Sequence, residues 1–266
     1  MAATLLLVGC GKMGGAMLDG WLKAGTVERV VVVEPGGMTH AHPAVTVVGS
    51  APELPAGFAP DVVVLAVKPQ VMDNVVPAYA GLAGPKTVFL SIAAGKTIDY
   101  FHRHLGGAAA IVRAMPNTPA AIGRGITVAV PNDAVGTAQR DLCAALLSAV
   151  GEVAWAEDES QMDAVTAVSG SGPAYVFLLA EALAAAGEAA GLPADLAQRL
   201  ARATVSGAGE LLHQSPQVPA QLREAVTSPG GTTRAALDVL MAPDGMTALM
   251  TRAVAAATKR SKELAQ

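Results

Sequence analysis

Apolar positions in the first 155 or so residues fall in short runs punctuated by glycine, proline and charge. Thr4–Val8, Val30–Glu34, Ala44–Val48, Asp61–Val67, Thr87–Ile92 and Ala109–Arg113 read as strands, with Ile126–Val130 as a further one. The runs VVVV, VVVLAV and VFLSI are continuous rather than alternating, as expected of strands covered on both faces. Met13–Ala24 reads as a helix after the first strand. Strands interleaved with helices predict βαβ units and a mainly parallel sheet. The texture changes near Trp155–Glu159, and no strand is expected beyond it. Gln161–Gly191 reads as Ala-rich helix apart from the insert Ser169–Pro173. Asp195–Gln214, Pro219–Val226, Thr232–Leu240 and Gly245–Leu264 read as further helices. The expected organisation is an α/β domain over residues 1–158 followed by an all-helical domain over 159–266.

Composition narrows the class. With 266 residues, 52% of them hydrophobic and 15% charged, the chain can bury a sizeable core and does not look disordered. The net charge of −4 and 3% aromatic content give no support for binding nucleic acid or an anionic membrane. Cys10 and Cys143 are too few for a disulfide framework and lack metal-ligand spacing, so no metal is expected. No run reaches the 18 or more apolar residues of a spanning helix; Ala174–Ala186, the best candidate, is cut by Glu181. The opening residues lack a basic n-region, so a signal peptide is not expected and the location read from the sequence is cytoplasmic.

Val8-Gly9-Cys10-Gly11-Lys12-Met13-Gly14 contains G-x-G-x-x-G, directly after a predicted strand and opening a predicted helix. In that context Gly9 serves the tight turn, Gly11 lets backbone approach a pyrophosphate, and Gly14 lets helix pack on strand. The phosphates then sit at the helix N-terminus, where free N–H groups point outward. This makes the α/β half a dinucleotide-binding Rossmann domain; the plainer reading is a glycine-rich turn. Glu34 ends the second strand twenty residues beyond Gly14, where a carboxylate accepts from ribose hydroxyls and repels a 2′-phosphate. Ala66-Val67-Lys68-Pro69-Gln70, Ser91-Ile92-Ala93-Ala94-Gly95 and Met115-Pro116-Asn117-Thr118-Pro119 end later strands and should face the same crevice. Each alone could be a strand-ending turn.

The helical half carries two unusual segments. Ser228-Pro229-Gly230-Gly231-Thr232-Thr233 could form an anion-binding nest, a helix start capped by Thr, or both. Ser169-Gly170-Ser171-Gly172-Pro173 could break or kink a helix, or permit very close approach of another backbone or a ligand. No lysine occurs between Lys96 and Lys259, and His213 is the only histidine of the helical half. Ketone reduction usually wants such a proton donor, whereas a protonated imine already carries the charge that hydride neutralises. A cyclic imine site needs positioning, a carboxylate anchor and exclusion of water.

At this point Gly9–Gly14, Ala66–Gln70, Ile92–Gly95, Met115–Pro119, Asp163–Tyr175 (DAVTAVSGSGPAY) and Ser228–Thr233 (SPGGTT), in this order, resemble the pyrroline-5-carboxylate reductase family. The resemblance spans nearly the whole chain. It implies reduction of 1-pyrroline-5-carboxylate to L-proline, the last step of proline biosynthesis, with NADP or NAD in reduced form as hydride donor. It implies a Rossmann domain with a helical dimerisation domain, a homodimer, and the decamers that members often form. Gly9–Gly14 would hold the pyrophosphate. Ala66, Val67, Lys68 and Pro69, with Ile92, Ala93, Ala94 and Gly95, would line the adenosine and nicotinamide side, and Met115, Pro116 and Asn117 would lie beside the nicotinamide. Ser169, Gly170, Ser171 and Gly172 with Gly230, Gly231, Thr232 and Thr233 would receive the ring and its carboxylate. Thr233 matches a hydroxyl near the ring nitrogen, as the catalytic position, and Glu159 a substrate-site acid. Glu34-Pro35-Gly36-Gly37 departs from the Ser, Asn or Arg of NADPH-preferring members. A β-hydroxyacid dehydrogenase would use a lysine in the helical half, where none occurs before Lys259. A protein that senses NAD(P) without turnover would not need SPGGTT.

Overall fold

The computed structural model describes residues 3–264. It divides into two compact units: the chain up to Gly170 together with the stretch from Ala257, and Ser171–Ala256. The first unit carries β1 (Ala3–Val8), α1 (Lys12–Ala24), β2 (Val27–Val33), β3 (Val45–Val48), β4 (Val62–Leu65), α2 (Met72–Val75), β5 (Val88–Ser91) and α3 (Ile98–Leu105). It continues with β6 (Ala110–Met115), β7 (Gly125–Pro131), α4 (Thr137–Ser148), β8 (Gly151–Trp155) and α5 (Met162–Val165). One sheet orders the strands β3-β2-β1-β4-β5-β6-β7-β8. The pairs from β3 to β6 are parallel, β7 runs antiparallel to β6, and β8 runs parallel to β7.

The continuous apolar runs are explained by helices on both faces. Side chains alternate across a strand. Leu5, Leu7, Val30, Val32, Val62 and Val64 therefore pack with Trp21 of α1 and Leu146 of α4, while Leu6, Val31, Val63, Phe89 and Ile111 pack with Phe101 of α3. Trp21 Nε1 donates to the Leu146 carbonyl at 2.9 Å, tying α1 to α4. The strand that the pattern does not announce is β8. It lies at the sheet edge with every second residue exposed, and GEVAW holds a single β-branched residue.

The second unit is helical throughout: α6 (Gly172–Ala189), α7 (Ala194–Gln214), α8 (Pro219–Ala225), α9 (Thr232–Leu240) and most of α10 (Met246–Leu264). Its buried residues among those described are Ala184, Ala197 and Ala201. α6 and α7 form a hairpin on these small side chains, turned by Gly191 at φ +101°. The insert Ser169–Pro173 does not break the helix. The run Glu159–Ala189 is helical across it, with Thr166–Gly170 wound as π-helix. Pro173 falls in the first turn of α6, where a missing N–H costs nothing. By length and composition this run meets the requirement of a membrane span, which counting uninterrupted apolar residues does not register. The helical turns up to Gly170 and the last turns of α10 belong to the first unit, where Ser261 Oγ donates to Asp163 Oδ1 at 2.6 Å.

Gly151 sits at φ +148°, and a Cβ there would overlap the backbone of Gly125. Gly151→Ala should therefore cost about 3 kcal/mol, read as a fall in Tm. Gly81→Ala, which meets open space, should stay within about 0.5 kcal/mol of wild type.

Candidate active site

The carboxyl ends of β1, β2, β4, β5 and β6 lie on one edge of the sheet because these strands are all parallel. Gly9 follows β1 at φ +89°, and a Cβ on it would stand 2.7 Å from Val67 Cγ1. A Cβ on Gly14 would lie 2.5 Å from the Gly9 carbonyl oxygen. Gly11 differs: nothing stands within 4 Å of where its Cβ would be. The first and third glycines are thus consumed by packing, and the second faces free space. Gly11 is the N-cap of α1, with no side-chain cap and no acid in the first turn. The first N–H groups of a helix have no intrahelical acceptor, so those of Lys12, Met13 and Gly14 are open to an anion. This cradle fits a dinucleotide pyrophosphate.

Glu34 leaves β2 beside this loop. Its Oε2 accepts from the Cys10 N–H at 2.8 Å and its Oε1 from the Gly36 N–H at 3.1 Å. The carboxylate is held at the end of the crevice where a ribose is expected. Burial pushes the Cys10 thiol above its ordinary range, and the charges of Glu34 and Asp19 add to this. On the other flank, Ala66 N donates to the Val8 carbonyl at 2.8 Å, and Lys68 is exposed. Ile92–Gly95 closes β5 with Ala93 and Gly95 buried, Gly95 at φ +77°.

Met115–Asn117 follows β6, and here the helical signature meets the sheet edge. Asn117 Nδ2 donates to the Ser169 carbonyl at 3.2 Å, while its Oδ1 accepts from the Ile126 N–H at 3.0 Å. A Cβ on Gly170 would stand 2.5 Å from Met115 Cε. Close approach, rather than a break, is what this glycine permits. The Ser169 hydroxyl donates back to the Val165 carbonyl at 3.0 Å.

In the second unit, Ser228–Gly231 forms a turn with Gly230 at φ +69° and Gly231 N donating to Ser228 O at 3.0 Å. Gly231, not a threonine, is the N-cap of α9; Thr232 is exposed and Thr233 half-buried at its first two positions. Neither hydroxyl caps the helix, so its leading N–H groups remain available. Ser171 is the N-cap of α6, and Gly172 meets open space.

Residues 159–264 match the family described as pyrroline-5-carboxylate reductase dimerisation, and residues 4–95 the family described as NADP oxidoreductase, coenzyme F420-dependent. The pyrroline-5-carboxylate reductase of Pseudomonas aeruginosa is 42% identical over 98% of this chain and 97% of its own length. That of Synechocystis is 42% identical over 99% of each. The chain belongs to the pyrroline-5-carboxylate reductase family. Among solved structures, the Coxiella burnetii pyrroline-5-carboxylate reductase superposes with a TM-score of 0.90 at 33% identity over 100% of both chains. The Plasmodium falciparum pyrroline carboxylate reductase, solved with NADP bound, gives 0.81 at 29% identity over 99% of this chain and 98% of that one.

Within this reductase fold two expected contacts have defined protein partners. Both ends of the Asn117 amide are taken, by Ile126 and Ser169. Glu159 Oε1 accepts from Arg113 Nη1 at 2.7 Å and from the Ile98 N–H at 2.9 Å. Arg113 was not singled out by sequence reasoning; an arginine inside the apolar strand AIVRAM is the signal that could have found it.

The open space at Gly11 gives a direct test. Gly11→Val should bind reduced nicotinamide cofactors at least about tenfold more weakly in a fluorescence titration while Tm changes by no more than about 2 °C. Gly14→Val should fail to fold stably, because its side chain would meet the Gly9 carbonyl.

Proposed function

We propose that this chain reduces 1-pyrroline-5-carboxylate to L-proline with NADH or NADPH, the last step of proline biosynthesis. The observation that carries the reading is the open cradle at Gly11, on a chain that aligns over nearly its full length with curated reductases of this name. The bound nicotinamide cofactor supplies the hydride. Gly9–Gly14, Glu34, Ala66–Pro69, Ile92–Gly95 and Met115–Asn117 hold it at the carboxyl edge of the sheet. Ser169–Gly172 and Gly230–Thr233 receive the ring and its carboxylate, the latter on the free N–H groups at the start of α9. Hydride adds to ring C5, and the electron pair of the C=N bond goes to nitrogen, which carries a proton from the iminium or from solvent. Thr233 Oγ1 bonds the ring nitrogen and sets which face is presented. No strong acid is required, which suits a helical half without lysine before Lys259.

Glu34 favours NADH. A carboxylate at the end of the second strand would accept from ribose hydroxyls and repel a 2′-phosphate, and Pro35–Gly37 offers no cation to hold that phosphate. The chain works as a cytoplasmic homodimer, able to assemble further into a decamer, rather than in a membrane. Phe177, Leu178 and Val176 of α6 are 63%, 62% and 47% exposed. Leu237, Leu240, Met241, Met250 and Val254 line an open apolar groove of about 800 Å³. Such surfaces ask for cover, and the dimerisation match over 159–264 supports a second copy.

Turnover is followed as loss of nicotinamide absorbance with pyrroline-5-carboxylate; a purified protein without turnover would overturn the reading. Thr233→Val should lower kcat/KM about 10- to 150-fold, the worth of one hydrogen bond to a charged group, and Thr233→Ser should retain most activity. Equal rates for the two would place the substrate elsewhere. Glu34→Ser with Gly36→Arg should move the kcat/KM ratio toward NADPH by at least about tenfold. Both changes are needed, since a Cβ on Gly36 alone would stand 3.2 Å from Glu34 Oε1.

A further inference from the structure

Arg113 is the one buried side chain among the described residues that carries a full charge. It lies in β6 between Val112 and Ala114 and pairs with Glu159 Oε1 at 2.7 Å. The same oxygen accepts from the N–H of Ile98, the first residue of α3. Thr97, the N-cap of α3, accepts from Tyr100 N with its own hydroxyl, so the carboxylate supplies a second cap to this helix. One oxygen atom therefore joins β6, the start of α3 and the start of the helical run Glu159–Ala189.

Each of these elements leads into the site. α3 follows the Ile92–Gly95 loop, β6 runs into Met115–Asn117, and the helical run reaches the π turn at Ser169–Gly170. That turn is tied to the same strand end by Asn117 Nδ2 to Ser169 O and by the Met115 contact with Gly170. Arg113 to Asn117 spans roughly 13 Å of extended chain. Glu159 to Ser169 spans roughly 15 Å of helix. Two ties of matching length fix the helix alongside β6 and set where the π turn stands against the cofactor loop.

We propose that Arg113 and Glu159 are a positioning pair for the reduction, acting through the π turn and the Met115–Asn117 loop rather than by touching substrate. The inference rests on the function proposed above. A carboxylate oxygen already shared between a buried guanidinium and a helix N-terminus is committed to protein, and a misplacement of about 1 Å at a reacting centre can cost about a hundredfold in rate.

The test is steady-state kinetics on the full-length enzyme for Arg113→Met, Arg113→Lys, Glu159→Gln and the double variant R113M/E159Q, with cofactor Kd and Tm measured on each. Wild-type turnover checks the function itself; without it both that reading and this inference fall. Given turnover, R113M and E159Q should each lower kcat about tenfold or more, with KM for the cyclic imine within about threefold and cofactor Kd within about twofold. The double variant should be no worse than the worse single one, and R113K should recover part of kcat. Should R113M not fold, E159Q, which keeps an acceptor for Ile98, carries the comparison with R113K. The proposal fails if E159Q raises KM alone and its effect multiplies with that of R113M, for then Glu159 touches substrate. It fails equally if the variants keep wild-type kcat and KM and lose only Tm.

Discussion

A Cβ on Gly14 would stand 2.5 Å from the Gly9 carbonyl oxygen. β1 and α1 approach as they do only because neither side of that contact carries a side chain, and the cofactor edge is built outward from it. The helix starts just past the end of β1, an interior strand of the sheet, and its first N–H groups have no intrahelical acceptor. β2 and β4 flank β1, which brings Glu34 to one side of the glycine loop and Ala66–Pro69 to the other. The carboxylate of Glu34 then reaches the Cys10 N–H, and Val67 closes over Gly9. Parallel pairing as far as β6 carries the loops after β5 and β6 to the same edge. Binding geometry here is a consequence of sheet packing.

The helical unit obeys a different constraint. Its buried residues are alanines, which let helices approach closely but remove little apolar area from water. Leucine, phenylalanine and methionine side chains remain exposed along α6 and between α9 and α10. This distribution leaves apolar area uncovered within the unit, and residues 159–264 match the dimerisation family. The same composition gives the run Glu159–Ala189 the length and hydropathy of a membrane span. Hydropathy alone does not separate a helix that awaits lipid from one that awaits another helix.

Much of this was legible in the chain. Doubly covered strands announce themselves as continuous valine and leucine runs, and seven of them were readable within a few residues of their ends. β8 was not, because an edge strand needs only one apolar face and GEVAW shows little of even that. The glycine loop, the strand-end loops and the SPGGTT turn were all legible as local chemistry. The contacts of Asn117 with Ser169 and of Glu159 with Arg113 were not, since these partners lie 52 and 46 residues away along the chain. The π turn was read as a break or a close approach, and local composition could not choose between them.

The sequence by itself determined the local terms: periodicity, turn chemistry, the glycine spacing and the absence of a lysine in the helical half before Lys259. These depend on neighbours within a few positions, so they can be read in one dimension. Only the tertiary structure decided that β7 turns antiparallel and that Arg113 and Ile98 share a single oxygen of Glu159. The physical reason is that a buried charge or an uncapped helix end takes whatever partner the packing brings within about 3 Å, and sequence distance does not enter that choice.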